Sequence, residues 1–349
     1  MKKCWSNLVL PLVTAILFSL LSTACTHSAP NQKNLSQIKI GVTLYRQDDT
    51  FISNIRSHLE DAAKARETED NIKITLNVMD GKGNQGIQND QVDKFLSQGY
   101  DVICVNEVDR TAASVIIDKA KAANIPVVFF NREPVEEDMQ RWDKVYYVGS
   151  IAKEAGMMEG EIVVNAYDAN PQSVDRNKDD KLQYVILEGE PGHQDAAIRT
   201  EFSVKTLTSS GIKAEKLAND TANWQRAQAS VKMAQWIEEF GSSIEVVFSN
   251  NDDMALGAID AYNAVDNANL PVIVGVDATP PAIEAIKNGT LTGTVLNDSK
   301  GQAQAIFNIA YALATGKDVK ESVPQLNGQY VWMPHHIVTR KNVDQKIRK

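Results

Sequence analysis

The segment Glu190-Pro191-Gly192-His193-Gln194-Asp195-Ala196-Ala197-Ile198-Arg199 gathers an imidazole, a carboxylate and a guanidinium in one short stretch. It follows the apolar run 182–187, which reads as a buried strand. Pro191 and Gly192 break that strand, and the alanine-rich residues after His193 read as the start of a helix. Asp195 and Arg199 are four apart and so share one helix face. The three groups therefore cluster at the C-terminal end of a strand, the place where open α/β sheets bind ligands. None is a good nucleophile, so the chemistry on offer is hydrogen bonding to a small polar molecule. The alternative is an ordinary helix start carrying an exposed Asp–Arg pair.

Similar residues recur at other predicted strand ends. Tyr45 is followed by Asp48-Asp49-Thr50-Phe51, Val105 by Asn106 and Asp109, and Phe248 by Asn250-Asn251-Asp252. Val276 leads to Asp277, and Leu296 to Asn297-Asp298. Each Asp or Asn taken singly fits a helix N-cap. Together they predict carboxylates and amides converging on one crevice, where each can meet a hydroxyl group. Two aromatics join them, Phe51 after the first acidic loop and Trp224 at the start of a helix predicted over 222–240. A pyranose has apolar C–H faces and a polar rim, which a pair of rings and a set of Asp, Asn and Arg side chains would cover. The competing roles are a core position on a helix face for Phe51 and packing against a loop for Trp224.

A second constellation is Asp175-Arg176-Asn177-Lys178-Asp179-Asp180-Lys181-Leu182-Gln183. It places side-chain oxygens at positions 1, 3, 5 and 9 of an EF-hand-like loop, with the Lys181 carbonyl at position 7. Alternating oxygens suit a hard cation. Asp180 stands where glycine is usual and must take a left-handed turn, which Asp tolerates. Position 12 is Ile186 rather than Glu, so a bidentate carboxylate would have to come from elsewhere. A solvated acidic turn is the alternative.

The elements that would position these residues alternate along the chain. Apolar runs at 38–45, 72–78, 102–105, 127–130, 145–148, 182–187, 246–248, 272–276 and 292–296 read as strands. Amphipathic segments at 51–65, 91–98, 112–123, 195–209, 222–240, 252–264 and 280–287 read as helices between them. This is the βαβ rhythm of parallel sheets. It contains more strands than one sheet takes comfortably, which predicts two α/β lobes. The formal charge is -9, and the acidic chain carries no basic patch, which argues against a nucleic-acid partner. Residues 1–24 read as a signal peptide, with Lys2 and Lys3 before an apolar run and Ser22-Thr23-Ala24 before Cys25. Those lysines are the leader's only charges, so its removal takes the balance from -9 to -11. The expected course is lipidation of Cys25, with polar residues 25–37 as a tether, although Ser22-x-Ala24 also suits plain cleavage. Cys104, within Val102-Ile103-Cys104-Val105, is expected to be a buried strand residue.

Taken together, these residues resemble the bacterial galactose/glucose-binding proteins, the sugar receptors of ATP-driven importers. The resemblance runs from about Ile38 to near the C-terminus. It is carried by Gly41-Val42-Thr43-Leu44-Tyr45, Asp48-Asp49-Thr50-Phe51, Val127-Val128-Phe129-Phe130-Asn131 and Tyr147-Val148-Gly149. It continues in Gly189-Glu190-Pro191-Gly192-His193, Asp220-Thr221-Ala222, Asn250-Asn251-Asp252, Gly275-Val276-Asp277-Ala278 and Gly293-Thr294-Val295-Leu296-Asn297-Asp298. It implies a two-lobed periplasmic-binding-protein fold, each lobe a mostly parallel sheet flanked by helices, with three interlobe crossovers near Phe130-Asn131, Leu296-Asn297 and Val331. The implied lobes are 38–130 plus 297–330, and 131–296 plus 331–349.

The resemblance also implies sugar contacts from Asp49, Phe51 and Asn106 in the first lobe. In the second it implies His193, Asp195, Arg199, Trp224, Asn251 and Asp277, with Asn297 at a crossover and Tyr45 nearby. For a structural Ca²⁺ it implies Asp175, Asn177, Asp179, Gln183, the carbonyl of Lys181 and, as the missing carboxylate, Glu245. Asp180 and Lys181 differ from the family's commoner Gly and Gln. The expectation is a monomer outside the cytoplasmic membrane that captures D-glucose or D-galactose and delivers it to an ABC permease by hinge closure. Use in chemoreception through a chemoreceptor, or binding of a related monosaccharide, is the alternative. A glycoside hydrolase is disfavoured because no Ser or Cys nucleophile is placed. A sugar-responsive transcription regulator is disfavoured because a signal segment stands where a helix-turn-helix would be needed.

Overall fold

Apolar runs with no polar face become strands that are covered on both sides. In strand β3 (Val102–Val105), Val102 and Cys104 enter one hydrophobic cluster while Ile103 and Val105 enter another. The same alternation splits β4 (Val127–Phe130), where Val128 and Phe130 face one way and Val127 and Phe129 the other. Successive residues of a strand point to opposite faces, so each run needs a helical layer above and below. Cys104 is buried and unpaired, as its setting predicts.

The structure is a computed structural model, and it describes residues 37–265 and 269–346. The leader, Cys25 and nearly all of the tether lie outside the described residues. The other strands of the first half are β1 (Gln37–Leu44), β2 (Lys73–Asp80) and β5 (Val145–Ser150). They are followed by β6 (Leu182–Glu188), β7 (Ala214–Thr221), β8 (Val246–Ser249), β9 (Val272–Asp277) and β10 (Gly293–Asn297). The last two are β11 (Tyr330–Met333) and β12 (His335–Thr339). Two sheets form, in the orders β11-β5-β4-β3-β1-β2 and β12-β10-β9-β8-β6-β7. The first is parallel throughout. In the second, only β12 runs antiparallel, against β10. The expected two-lobed α/β architecture is therefore present.

The lobe boundaries need correction. The first crossover is not at Phe130-Asn131. There the chain turns through Asn131 (φ 64°) and returns as β5, which pairs with β4 from Val127↔Val145 to Phe130↔Val148. The change of lobe follows Ser150, after which the helix Ala152–Ala169 packs against helix Gln194–Ser209 and strands β9, β10 and β12. The second crossover follows Asn297 as expected, and helix Ser299–Thr315 returns to pack on β1, β3 and β4. The third follows Met333, because β11 pairs with β5 in the first sheet. The lobes are thus 37–150 plus 298–333, and 151–297 plus 334–346. Among the described residues no helix is long and apolar enough to cross a membrane.

Candidate functional site

Loops leaving the C-terminal ends of strands in both sheets meet at one cavity between the lobes. Its space, opening to solvent included, is about 350 Å³. From the first lobe it is lined by Tyr45, Asp49, Phe51, Ile52, Asn131 and Arg132. From the second come His193, Asp195, Arg199, Trp224, Asn251 and Asp277, with Asn297 at the second crossover. Nine of the ten residues expected to contact sugar therefore line one space.

The N-caps that compete with the binding role turn out to serve both. Asp49 caps helix Thr50–Asp70 through Oδ1, which accepts from Ile52 N at 2.9 Å, while Oδ2 accepts from Tyr45 Oη at 2.5 Å. Burial, then the charge of Asp49, holds the Tyr45 phenol well above its usual range. Asn251 caps helix Asp252–Ala264 through Oδ1 and donates from Nδ2 to Trp224 O at 3.4 Å. A cap uses one polar atom and fixes the rotamer, and the rest of the group still faces the cavity.

His193 caps helix Gln194–Ser209 by accepting Asp195 N on Nδ1 at 3.1 Å. Burial, then Arg132 and Arg199, depress its pKa well below the usual histidine value. The ring is therefore neutral, and with Nδ1 accepting, the proton sits on Nε2, which becomes a fixed donor. Arg199 holds Asp195 Oδ2 at 3.2 Å and Asn250 O at 2.9 Å, and its Nε is buried without a partner. Asp277 lies at φ 120° and Ala278 at φ 56°, a strained turn at the end of β9. Burial drives the Asp277 carboxyl well above its usual range; Arg199 opposes the shift, and Asp252 and Asp49 add to it. Asn297 Nδ2 donates to Asp277 at 3.2 Å. Its Oδ1 accepts from Ser150, the last residue before the first crossover, at 2.9 Å, and from Gln302 at 2.7 Å. The amide thus ties two hinge strands to a carboxylate of the cavity.

Phe51 and Trp224 supply one ring from each lobe, and both are buried. The helix expected from residue 222 starts at Arg226 instead. Asn223 (φ 51°) and Trp224 (φ 63°) form a left-handed turn that carries the indole away from the helix and into the cavity. There it meets His193 edge to face, with centroids 5.0 Å apart. The indole lies directly on Gly189, where any Cβ would overlap it.

Asn106 is the exception. It is fully buried behind the cavity wall, with Oδ1 accepting from Tyr45 N and Nδ2 donating to Phe130 O and Asn131 Oδ1, each at 3.2–3.3 Å. Its amide is used up in positioning Asn131, and Asn131 lines the cavity in its place. The sequence named Asn131 only as a crossover; its position after Phe130, at the end of a strand, was the available signal. Arg132 was also missed. Its guanidinium stacks 3.8 Å from the Tyr45 ring centroid and crosses the cleft to Glu190 Oε2 at 2.5 Å. Thr50–Asp253 at 2.5 Å and Gln194–Glu133 at 3.0 Å also join the lobes, so the cleft is closed.

The acidic loop 175–183 lies at the other end of β6. Asp180 (φ 61°) takes the expected left-handed turn, as does Lys178 (φ 63°). Glu245 reaches the loop, accepting from the backbone N–H of Arg176 at 2.6 Å and of Gln183 at 3.1 Å. Asn177 Nδ2 meets Gln183 Oε1 at 3.0 Å, and Gln183 Nε2 meets Asp179 Oδ2 at 2.9 Å. All candidate side chains offer oxygen ligands, the donor type a hard cation takes. Among the described residues, no three His, Cys, Asp and Glu side chains form a metal-holding group on their own.

Residues 40–318 match the periplasmic binding protein domain family. The chain is 42% identical to the D-galactose/methyl-galactoside binding periplasmic protein of Haemophilus influenzae over 312 residues, 89% of this chain and 92% of that one. It is 30% identical to the xylitol-binding protein of Mycolicibacterium smegmatis, over 93% of this chain and 83% of that one. A solved ABC transporter solute binding protein of Bacillus halodurans with bound myo-inositol superposes with a TM-score of 0.75 at 29% identity, over 90% of this chain and 98% of that one.

Proposed function

The chain belongs to the periplasmic binding protein family, and on that premise we propose that it captures D-glucose or D-galactose outside the cytoplasmic membrane and delivers it to an ABC importer. The observation that carries this reading is the composition of the interlobe cavity: one aromatic ring from each lobe, with Asp49, Asp195, Arg199, Asn251 and Asp277 around them. The rings cover the two faces of a pyranose, and the polar side chains take its rim hydroxyls, a hydrogen bond to a charged group contributing about 1.5–3 kcal/mol. His193 Nε2–H and Arg199 Nε are the fixed donors, and the carboxylates are the acceptors. A ligand touching both lobes binds only the closed form fully, so capture and closure are one equilibrium. The closed form is what a permease recognises. The chain acts by binding, with no chemical step.

Ca²⁺ is proposed at loop 175–183, held by Asp175, Asn177, Asp179, Gln183, Glu245 and the Lys181 carbonyl. When bound it would supply a structural cross-link between that loop and the residue preceding β8. Export by the N-terminal leader, lipid at Cys25 and a monomeric state complete the proposal. The 42% relative named for galactose supports the hexose over the polyol carried by the Bacillus halodurans protein.

Calorimetric titration with glucose, galactose, ribose, xylitol and myo-inositol tests the reading. Glucose or galactose should bind with Kd of about 1 μM or tighter. Binding of both hexoses weaker than about 1 mM, or tighter binding of another ligand in the series, would overturn it.

A further inference from the structure

Asp252 is the first residue of the helix Asp252–Ala264, where a carboxylate ordinarily serves the free backbone amides of the first turn. Here Asn251 supplies the cap. Asp252 is fully buried, and its side chain turns to β9, β10 and the turn that follows β9. Its Oδ1 accepts from Thr294 Oγ1 at 2.6 Å. Its Oδ2 accepts from the Thr279 backbone N–H at 2.8 Å and from Thr279 Oγ1 at 3.3 Å. Thr294 stands opposite Gly275 in the β9–β10 pairing. At Gly275 a Cβ would come within 2.7 Å of Oδ1, so the missing side chain leaves room for the carboxylate. Burial raises the Asp252 pKa, and the bonds from Thr294 and Thr279 oppose the rise.

These bonds clasp the turn that carries Asp277. The Ala278 N–H donates to Thr294 Oγ1 at 3.3 Å, so that hydroxyl relays residue 278 to Asp252 Oδ1. Residue 279 is tied directly to Oδ2. Between β9 and these anchors lie Asp277 at φ 120° and Ala278 at φ 56°. Non-glycine residues hold such angles only where their surroundings over-determine them. The Asp277 side chain has one tie of its own, since Oδ1 receives Asn297 Nδ2 at 3.2 Å. Its Oδ2 takes no protein donor among the described residues, and Asp277 lines the cavity. Asp252, Thr279 and Thr294 do not line it; they stand behind the turn.

We propose that Asp252, with the Thr294 hydroxyl as its relay, is the positioning residue for Asp277: it holds the 277–278 turn in the conformation that aims the Asp277 carboxylate at a sugar hydroxyl. It sets affinity without touching the ligand, because a contact group is only as well placed as the shell that supports it. This rests on the hexose reading of the central cavity.

The test is titration of the full chain with galactose and glucose, followed by tryptophan fluorescence. It is run on Thr294→Val, Thr294→Ser and Asp252→Asn, each alone and combined with Asp277→Ala. Sugar up to about 100 mM keeps losses of about 10⁵-fold from a micromolar parent on scale. Thr294→Val keeps the shape of the side chain and deletes the relay. Asp252→Asn keeps one acceptor of the two. At least one of these should weaken the better hexose by about tenfold or more, while Thr294→Ser, which retains the hydroxyl, stays within about threefold of the parent. With Asp277→Ala in place the same substitution should change affinity by about twofold or less, because the group it positions is gone. A general loosening of the lobe would weaken binding equally in both backgrounds. The proposal is overturned by that equal loss, by both variants binding within about threefold of the parent, by Thr294→Ser losing as much as Thr294→Val, or by both variants failing to fold. If the parent binds neither hexose, the reading of the central cavity fails and takes this proposal with it.

Discussion

Glu190→Gln isolates the contribution of lobe closure to affinity. Among the described residues, Arg132–Glu190 is the ion pair that joins the lobes, at 2.5 Å, with side chains 8% and 24% exposed. Two unit charges about 4 Å apart attract by about 4 kcal/mol at an effective dielectric of 20. Exposed pairs retain about 0.2–1 kcal/mol of that, while breaking a buried pair costs about 3–5 kcal/mol. This pair lies between those limits, and glutamine keeps a neutral acceptor for Arg132, so the loss should be about 1–2 kcal/mol. That corresponds to about 5–30-fold weaker sugar binding. Glu190 does not line the central cavity, and Val108 O and the Tyr45 ring still hold Arg132, so the effect should come through the balance of open and closed forms. Stopped-flow measurement of Trp fluorescence should therefore find dissociation faster by about that factor and association nearly unchanged. Added salt should weaken the parent more than the variant. Affinity and dissociation rate both within about twofold of the parent would refute a latch at this position.

Trp224→Ala should weaken hexose binding by at least about 2 kcal/mol, as for a buried aromatic anchor, with far-UV circular dichroism unchanged; Gly189→Ala, which forces a Cβ into the same indole, should weaken binding without deleting the ring. Glu107 is fully buried with no partner for either oxygen, and burial, reinforced by Asp138, raises its pKa well above the carboxylate range. A raised carboxyl favours the folded state below its unfolded pKa of about 4.3, and that contribution is lost as pH climbs. Glu107→Gln should therefore raise the melting temperature by about 2 °C or more at pH 8 and much less at pH 4.5, and an equal shift at both would count against it. Chelation of Ca²⁺, or Asp175→Ala, should lower the melting temperature and leave glucose affinity within about threefold, because loop 175–183 precedes β6 and the sugar residues follow it, about 20 Å along the strand. An unchanged melting temperature would argue against the cation.

Several features were legible because they are local. Asp195 and Arg199 meet because a helix brings positions four apart together, and the structure places them 3.2 Å apart. The left-handed turn at Asp180 followed from the spacing of the oxygens alone. Strand β7 was not legible, since Ala214–Thr221 is a half-exposed edge strand without the apolar run that marks its neighbours. Asn106 and Asn131 present the same side chain at the same kind of strand end. Only the packing of β3 beside β4 decides that one supports and the other faces the cavity.

What the sequence determined by itself is the class of molecule: parallel α/β units whose strand ends carry polar groups. These depend on periodicity and residue type within a few positions of each other. The tertiary structure decided which strands share a sheet, and hence where the chain changes lobe. It also assigned Arg132, which the sequence left unnamed, to Tyr45 on its own side of the cleft and Glu190 on the other. Those outcomes depend on pairings between segments such as Val145–Ser150 and Tyr330–Met333, far apart in the chain and similar in composition to their alternatives. Such strands are apolar on both faces, so their composition does not distinguish one buried neighbour from another.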